Sequence, residues 1–137
     1  MVDRHGPLRA GRFRVEIDDV EISGWQSVTI PSSSTEQSGD GWGDTVFQNL
    51  QMERGIAGAD TELYDWREAV VADDEDNGFK EIVVILMDEE GEDILSWTFH
   101  DAWLSYYDPP DLDASADGAV ATERVSIVYD SMERQEV

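Results

Sequence analysis

In the stretch "RFRVEID" the apolar residues Phe13, Val15 and Ile17 alternate with charged ones, the period of a strand buried on one face. Asp18-Asp19 can turn the chain, and "VEISGWQSVTI" is a second extended stretch with Val28 and Ile30 on one face, ended by Pro31. Residues 31–45 then lose the apolar alternation and form a polar, glycine-rich loop or hairpin arm carrying a single aromatic, Trp42. "TVFQNLQMER" predicts one strand, with Val46, Leu50 and Met52 on one side and Phe47 on the other. From about residue 60 the period changes. Leu63, Trp66 and Val70 make one apolar stripe of a helix over residues 60–73, with Asp60 or Thr61 as its cap.

Beyond the helix, "DDEDNG" predicts a solvated turn into "FKEIVVILMD", an apolar strand expected to be buried on both faces. "DEEGED" turns it back into "ILSWTFHDAW", where Leu95, Trp97, Phe99 and Trp103 are spaced by two or four. A second long loop precedes a last strand in which Val125, Ile127 and Tyr129 alternate. The expected fold is mainly β: a small β-barrel or sandwich of two packed sheets with one α-helix against it. Leu63, Trp66, Val70, Trp97, Phe99, Val125 and Ile127 are its expected core. The 137 residues suit a single domain with a flexible N-terminus at residues 1–10.

Charge changes this picture most. Thirty-two acids against nine bases give a net charge of −23, and Lys80 is the single lysine. Self-repulsion of that size disfavours a compact state, whereas molar salt shortens the Debye length to about 3 Å and removes most of the cost. The acids are spread from Asp3 to Glu136 rather than held in one block, which points to adaptation to a high-salt environment of the haloarchaeal type. Phosphate-backbone binding needs clustered lysine and arginine, so sequence-specific nucleic-acid binding is not expected. No apolar run approaches the roughly 20 residues of a membrane span, and the start lacks the apolar segment of a signal peptide. The absence of cysteine excludes disulfides and thiolate metal sites.

Catalytic chemistry is hard to assemble from what remains. Asp73, Glu75, Asn77 and Gly78 occupy positions 1, 3, 5 and 6 of an EF-hand loop, but position 12, which must supply a bidentate carboxylate, is Val84. His5 and His100 are the two histidines, and His100 and Asp101, as strand neighbours, point to opposite faces. No G-x-S-x-G elbow occurs, and no enzyme, metal or cofactor is implied. Trp42 is different: a lone aromatic in a polar arm is a candidate interface anchor.

The order of segments resembles the tail tube (inner tube) proteins of contractile phage tails and contractile injection systems. The resemblance runs through "FRVEIDDVEISGWQSVTI", through "LQMERGIAGADTELYDWREAVV" with Arg54-Gly55 and Trp66, and through "VVILMDEEGEDILSWTFHDAWLSYYDPPDLDASADGAVATERVSIVYD" with Ala102-Trp103, Ala121 and Glu123. It implies a homo-hexameric ring stacked into a hollow tube, with contractile sheath, baseplate and tube-cap proteins as partners. It further implies a lumen that carries protein effector or DNA, and assembly in the cytoplasm into a virion or an extracellular or cell-associated particle. Glu36, Trp42, Arg54, Glu123 and Arg124 are the candidate subunit or ring–ring contacts. Leu104 after Ala102-Trp103, and Tyr129-Asp130-Ser131 at the last strand, depart from the family pattern and leave a tube-end or baseplate ring paralogue open. Outside the resemblance, the alternatives are a stand-alone small β-barrel ligand-binding module of a halophile and an enzyme with a carboxylate site.

Overall fold

The computed structural model describes residues 7–58, 61–115 and 118–137. The expected cap Asp60, His5 and most of the expected flexible terminus lie outside the described residues. Among the described residues, ten strands and two helices follow in the order β1 (Phe13–Ile17), β2 (Val20–Ile22), β3 (Trp25–Thr29), β4 (Ser33–Ser38), β5 (Gly41–Phe47), β6 (Leu50–Gly55), α1 (Glu62–Val71), α2 (Glu75–Gly78), β7 (Lys80–Met87), β8 (Asp93–Asp108), β9 (Thr122–Val128) and β10 (Ser131–Glu136). Eight strands form one antiparallel sheet in the order β2-β1-β7-β8-β9-β6-β3, with β10 also on β8. β4 and β5 form a separate two-stranded sheet.

The first turn is a two-residue hairpin loop. Ile17 pairs with Val20, and Asp18 and Asp19 both have positive φ, the requirement of a type I′ turn that aspartate tolerates. At the other end of the sheet, Gly24 (φ +92°) lets β3 approach β6. A Cβ there would lie 3.2 Å from the Gly55 carbonyl oxygen.

β8 organises the core because it is long and bulged at three points. Its N-terminal half pairs with β7 and β10, and its C-terminal half with β9. Lys80 faces Ala102 while Ile82 faces Phe99, so β8 carries an extra residue there, and Asp101 takes a left-handed conformation (φ +49°). Further extra residues lie between Leu104 and Tyr106 and between Asp93 and Leu95. Each bulge reverses the inside–outside phase. Phe99, Ala102 and Leu104 are therefore fully buried, while Trp97 and Trp103 are half-buried. The even spacing of Leu95, Trp97, Phe99 and Trp103 therefore does not put all four on one face: the bulge between Phe99 and Ala102 shifts Trp103 out of phase.

Leu63, Trp66, Phe99, Val125 and Ile127 lie in the core with Val15, Leu50, Met52, Ile82 and Val84, and Val70 and Trp97 pack against its margin. α1 enters at Glu62. Thr61 occupies its N-cap without a capping hydrogen bond, because its hydroxyl donates to the Asp65 carboxylate instead. The Trp66 indole N–H donates to the Gly78 carbonyl at 2.7 Å, pinning α1 to α2. Two further expectations need correcting. The turn at 73–78 contains the short helix α2, whose first amides, those of Asp76 and Asn77, bond the Asp74 carboxylate. "TVFQNLQMER" is split: Val46 and Phe47 end the outlying sheet, and the buried strand starts at Leu50.

Candidate functional site

The β4–β5 arm carries three exposed apolar side chains. All six residues of β4 are exposed, Trp42 is 81% exposed, and Val46 and Phe47 are each 54% exposed. The arm is anchored at its base by the Gln48 amide donating to the Ser32 carbonyl (3.0 Å) and by the Tyr129 hydroxyl donating to the Gln48 carbonyl (2.9 Å). Within it, the Thr35 and Thr45 hydroxyls lie 2.6 Å apart. Gly43 is required where the strands cross a register shift, since a Cβ there would sit 2.9 Å from the Glu36 carbonyl oxygen. A two-stranded hairpin with no third strand is marginal in water on its own. This one also holds its largest apolar side chain away from its own subunit.

The other proposed contact residues divide. Glu36 and Arg124 are exposed, and Arg124 reaches Glu53 on the paired strand at 3.3 Å. Arg54 and Glu123 are not on the surface. They are 1% and 2% exposed, face each other across β6 and β9, and are joined by Arg54 Nη2 and Nε donating to Glu123 Oε1 at 2.8 and 3.1 Å. Their expected place at a subunit or ring–ring contact is therefore corrected: one subunit already encloses both charges. A buried ion pair persists where further hydrogen bonds satisfy it, and here Tyr107 Oη donates to Glu123 Oε2 (2.6 Å) and Arg54 Nη2 also reaches Glu62 (3.2 Å). The guanidinium lies 5.7 Å from the centre of the Trp25 ring. Burial, and next the bond to Glu123, push the Tyr107 phenol up to about 12. The Glu62 carboxyl is lowered, first by a bond from its own backbone amide and then by Arg54.

The network ties α1, β3, β6, β8 and β9 together. Trp25, Glu62 and Tyr107 are its members that sequence patterning missed. A carboxylate in the first turn of a helix has a ready explanation in the helix dipole, which conceals a partner eight residues earlier.

The acidic stretches resolve into local caps. Asp74 caps α2, accepting from Asp76 N, Asn77 N and Asn77 Nδ2, whereas Asp73 (φ +58°) closes α1 with its amide donating to the Val70 carbonyl at 3.1 Å. Asp88, Glu90 and Glu92 place carboxylate oxygens within 4.8 Å of one another in the β7–β8 turn. Asp88 Oδ1 there accepts the Glu90 and Glu92 amides, both at 2.9 Å, which accounts for its placement as a turn residue. A bidentate Arg14–Asp93 pair joins β1 to β8 and holds the Asp93 carboxyl below the usual range. None of these groups sets a nucleophile beside a base.

The chain is thus a mainly β protein with a buried charge network and an outlying two-stranded arm. The chain belongs to the family described as T4-like virus tail tube protein gp19, which matches residues 9–133. The family is one of structural tube proteins, not enzymes. The fold is similar to that in the sheath–tube complex of an extracellular contractile injection system, PVC, in its extended state. There the TM-score is 0.77 at 23% identity, over 96% of this chain and 93% of that one. The tube-terminating cap of the anti-feeding prophage is similar at TM-score 0.74 and 20% identity, over 100% and 96% of the two chains. Hcp1 from Flavobacterium johnsoniae is similar at TM-score 0.66 and 16% identity, over 92% and 98%. A search of curated proteins found no match.

Proposed function

We propose that this chain is the structural subunit of the hollow inner tube of a contractile phage tail or injection system. It assembles as hexameric rings that stack and conduct protein or DNA. The observation that carries the assembly is the β4–β5 arm: a hairpin without a third strand, presenting Trp42, Val46 and Phe47 to solvent. Covered by a neighbouring subunit, a buried tryptophan supplies about 2 kcal/mol or more to an interface, repeated around every ring. Glu36 and Arg124, both exposed, are the polar contacts proposed beside it. A sheath outside, a baseplate at one end and a cap at the other are the partners this role requires.

The net charge of −23 with a single lysine supports a haloarchaeal-type setting in high salt. An acidic lumen would also repel nucleic acid and acidic cargo and keep passage free of adhesion. The similarity to a tube-terminating cap, at a TM-score of 0.74 against 0.77 for the tube complex, supports a second reading as a ring at the tube's end. Analytical ultracentrifugation in molar salt tests the proposal. Hexamers and larger stacks support it, hexamers that never stack favour the end ring, and a monomer at all concentrations refutes both.

A further inference from the structure

The last strand is docked by its ladder on one neighbour and by little burial. β10 pairs with β8 alone, and Met132 is its one residue that packs against the core. A strand of sequence "SMERQE" gains little from burial, so its backbone ladder and its charges decide how firmly it is docked.

Those charges meet at His100. Its Nδ1 lies 3.5 Å from Glu81 Oε2 on β7, and its Nε2 lies 3.7 Å from Glu133 Oε1 on β10. His100 itself is on β8 opposite Ser131, and its carbonyl accepts the Asp130 amide at the entry to β10. One imidazole thus stands between carboxylates of the strands on both sides of it. The other charged groups near it are Asp101 and Asp130, next to it in the chain and at its carbonyl, and Lys80, which is drawn to Asp18 at 3.6 Å. Asp18 Oδ1 also accepts the Glu81 amide, which fixes the backbone that carries the Glu81 carboxylate.

We propose that His100 is a pH-sensitive clasp that fastens β10 to β8 and β7 when its imidazole is protonated. In the charged form one cation bridges two carboxylates. In the neutral form Glu81 and Glu133 face each other across β8 among further acids, with no cation between them. Histidine is the side chain whose ordinary titration falls between pH 5 and 8. The clasp is closed while the imidazole carries its second proton and opens when that proton leaves. Separations of 3.5 and 3.7 Å slightly exceed the Debye length of about 3 Å in molar salt, so salt weakens this contact, though less than it weakens the longer-range repulsion between the acids.

Hydrogen exchange in molar salt at pH 5.5 and pH 8, corrected for the intrinsic rate, tests this on the assembled protein. Amides of residues 131–136 are expected to be about threefold to fivefold more protected at the lower pH, in keeping with two exposed ion pairs. Amides of β7 and β9 serve as the internal reference. His100→Gln, which keeps a polar side chain of similar reach, is expected to abolish the pH step while leaving the reference unchanged. Glu133→Gln, at an exposed position, is expected to reduce it and serves if the first variant folds poorly. A wild type without a pH step, or the same step in the variant that folds, would overturn the clasp.

Discussion

Arg54 shows how much a single residue's surroundings decide. It is one of nine bases in a chain of 32 acids, yet it is spent inside the subunit against Glu123 and Glu62. Replacing one partner of such a pair strands the other charge, so Glu123→Gln is expected to cost about 3–5 kcal/mol of stability. Chemical denaturation in molar salt measures it, and a loss below about 1 kcal/mol would show that Glu62 alone satisfies Arg54. Phe99 and Trp97 differ in a related way. Phe99 is fully buried, so Phe99→Ala is expected to cost about 3–5 kcal/mol. Trp97 packs only at the margin of the core, so its truncation should cost distinctly less, and equal losses would contradict this placement.

At the scale of elements, alternation revealed the strands well wherever the backbone is regular, as in β1 and β9. It failed at β8, because a bulge inserts one residue and reverses the phase without leaving a mark in hydrophobicity. It failed again at Gln48-Asn49, where apolar residues on either side belong to different sheets, one buried and one awaiting a partner. The arm was legible as an arm from its serines and glycines, and Trp42 stood out there. The choice between a loop and a hairpin stayed open in the sequence, because β4 has no apolar face at all. Two predictions belong to this scale. Trp42→Ala should leave the circular dichroism spectrum and stability within about 0.5 kcal/mol of wild type, while weakening assembly in sedimentation. Intact assembly would return Trp42 to the ordinary exposed aromatics.

The second concerns Asp93, which ties β8 to β1 through Arg14. Its carboxyl is lowered in the folded state, so the pair's stabilisation is complete above the ordinary aspartate value of about 3.9. It is lost as pH falls through the lowered value. Asp93→Asn should therefore destabilise the protein at neutral pH and flatten its acid limb below about pH 4. An unchanged acid limb, followed by thermal melts at a series of pH values, would contradict that assignment.

For the whole molecule the governing quantity is charge. The structure shows acids both as caps and turn ligands, at Asp74 and Asp88, and as plain exposed groups along β10 and the arm. Local caps explain individual placements but not an excess of 23, which still calls for screening by salt. Folding should accordingly be incomplete in about 10 mM salt and cooperative in molar salt, as circular dichroism across a salt series would reveal. A fully folded protein at the low end would remove the case for a high-salt setting without touching the fold. The tube itself is tested most directly by electron microscopy of the purified protein in molar salt. The account predicts rings with sixfold symmetry around an open lumen, stacked end to end. Dispersed single subunits at assembly concentrations, or closed particles without a channel, would contradict it.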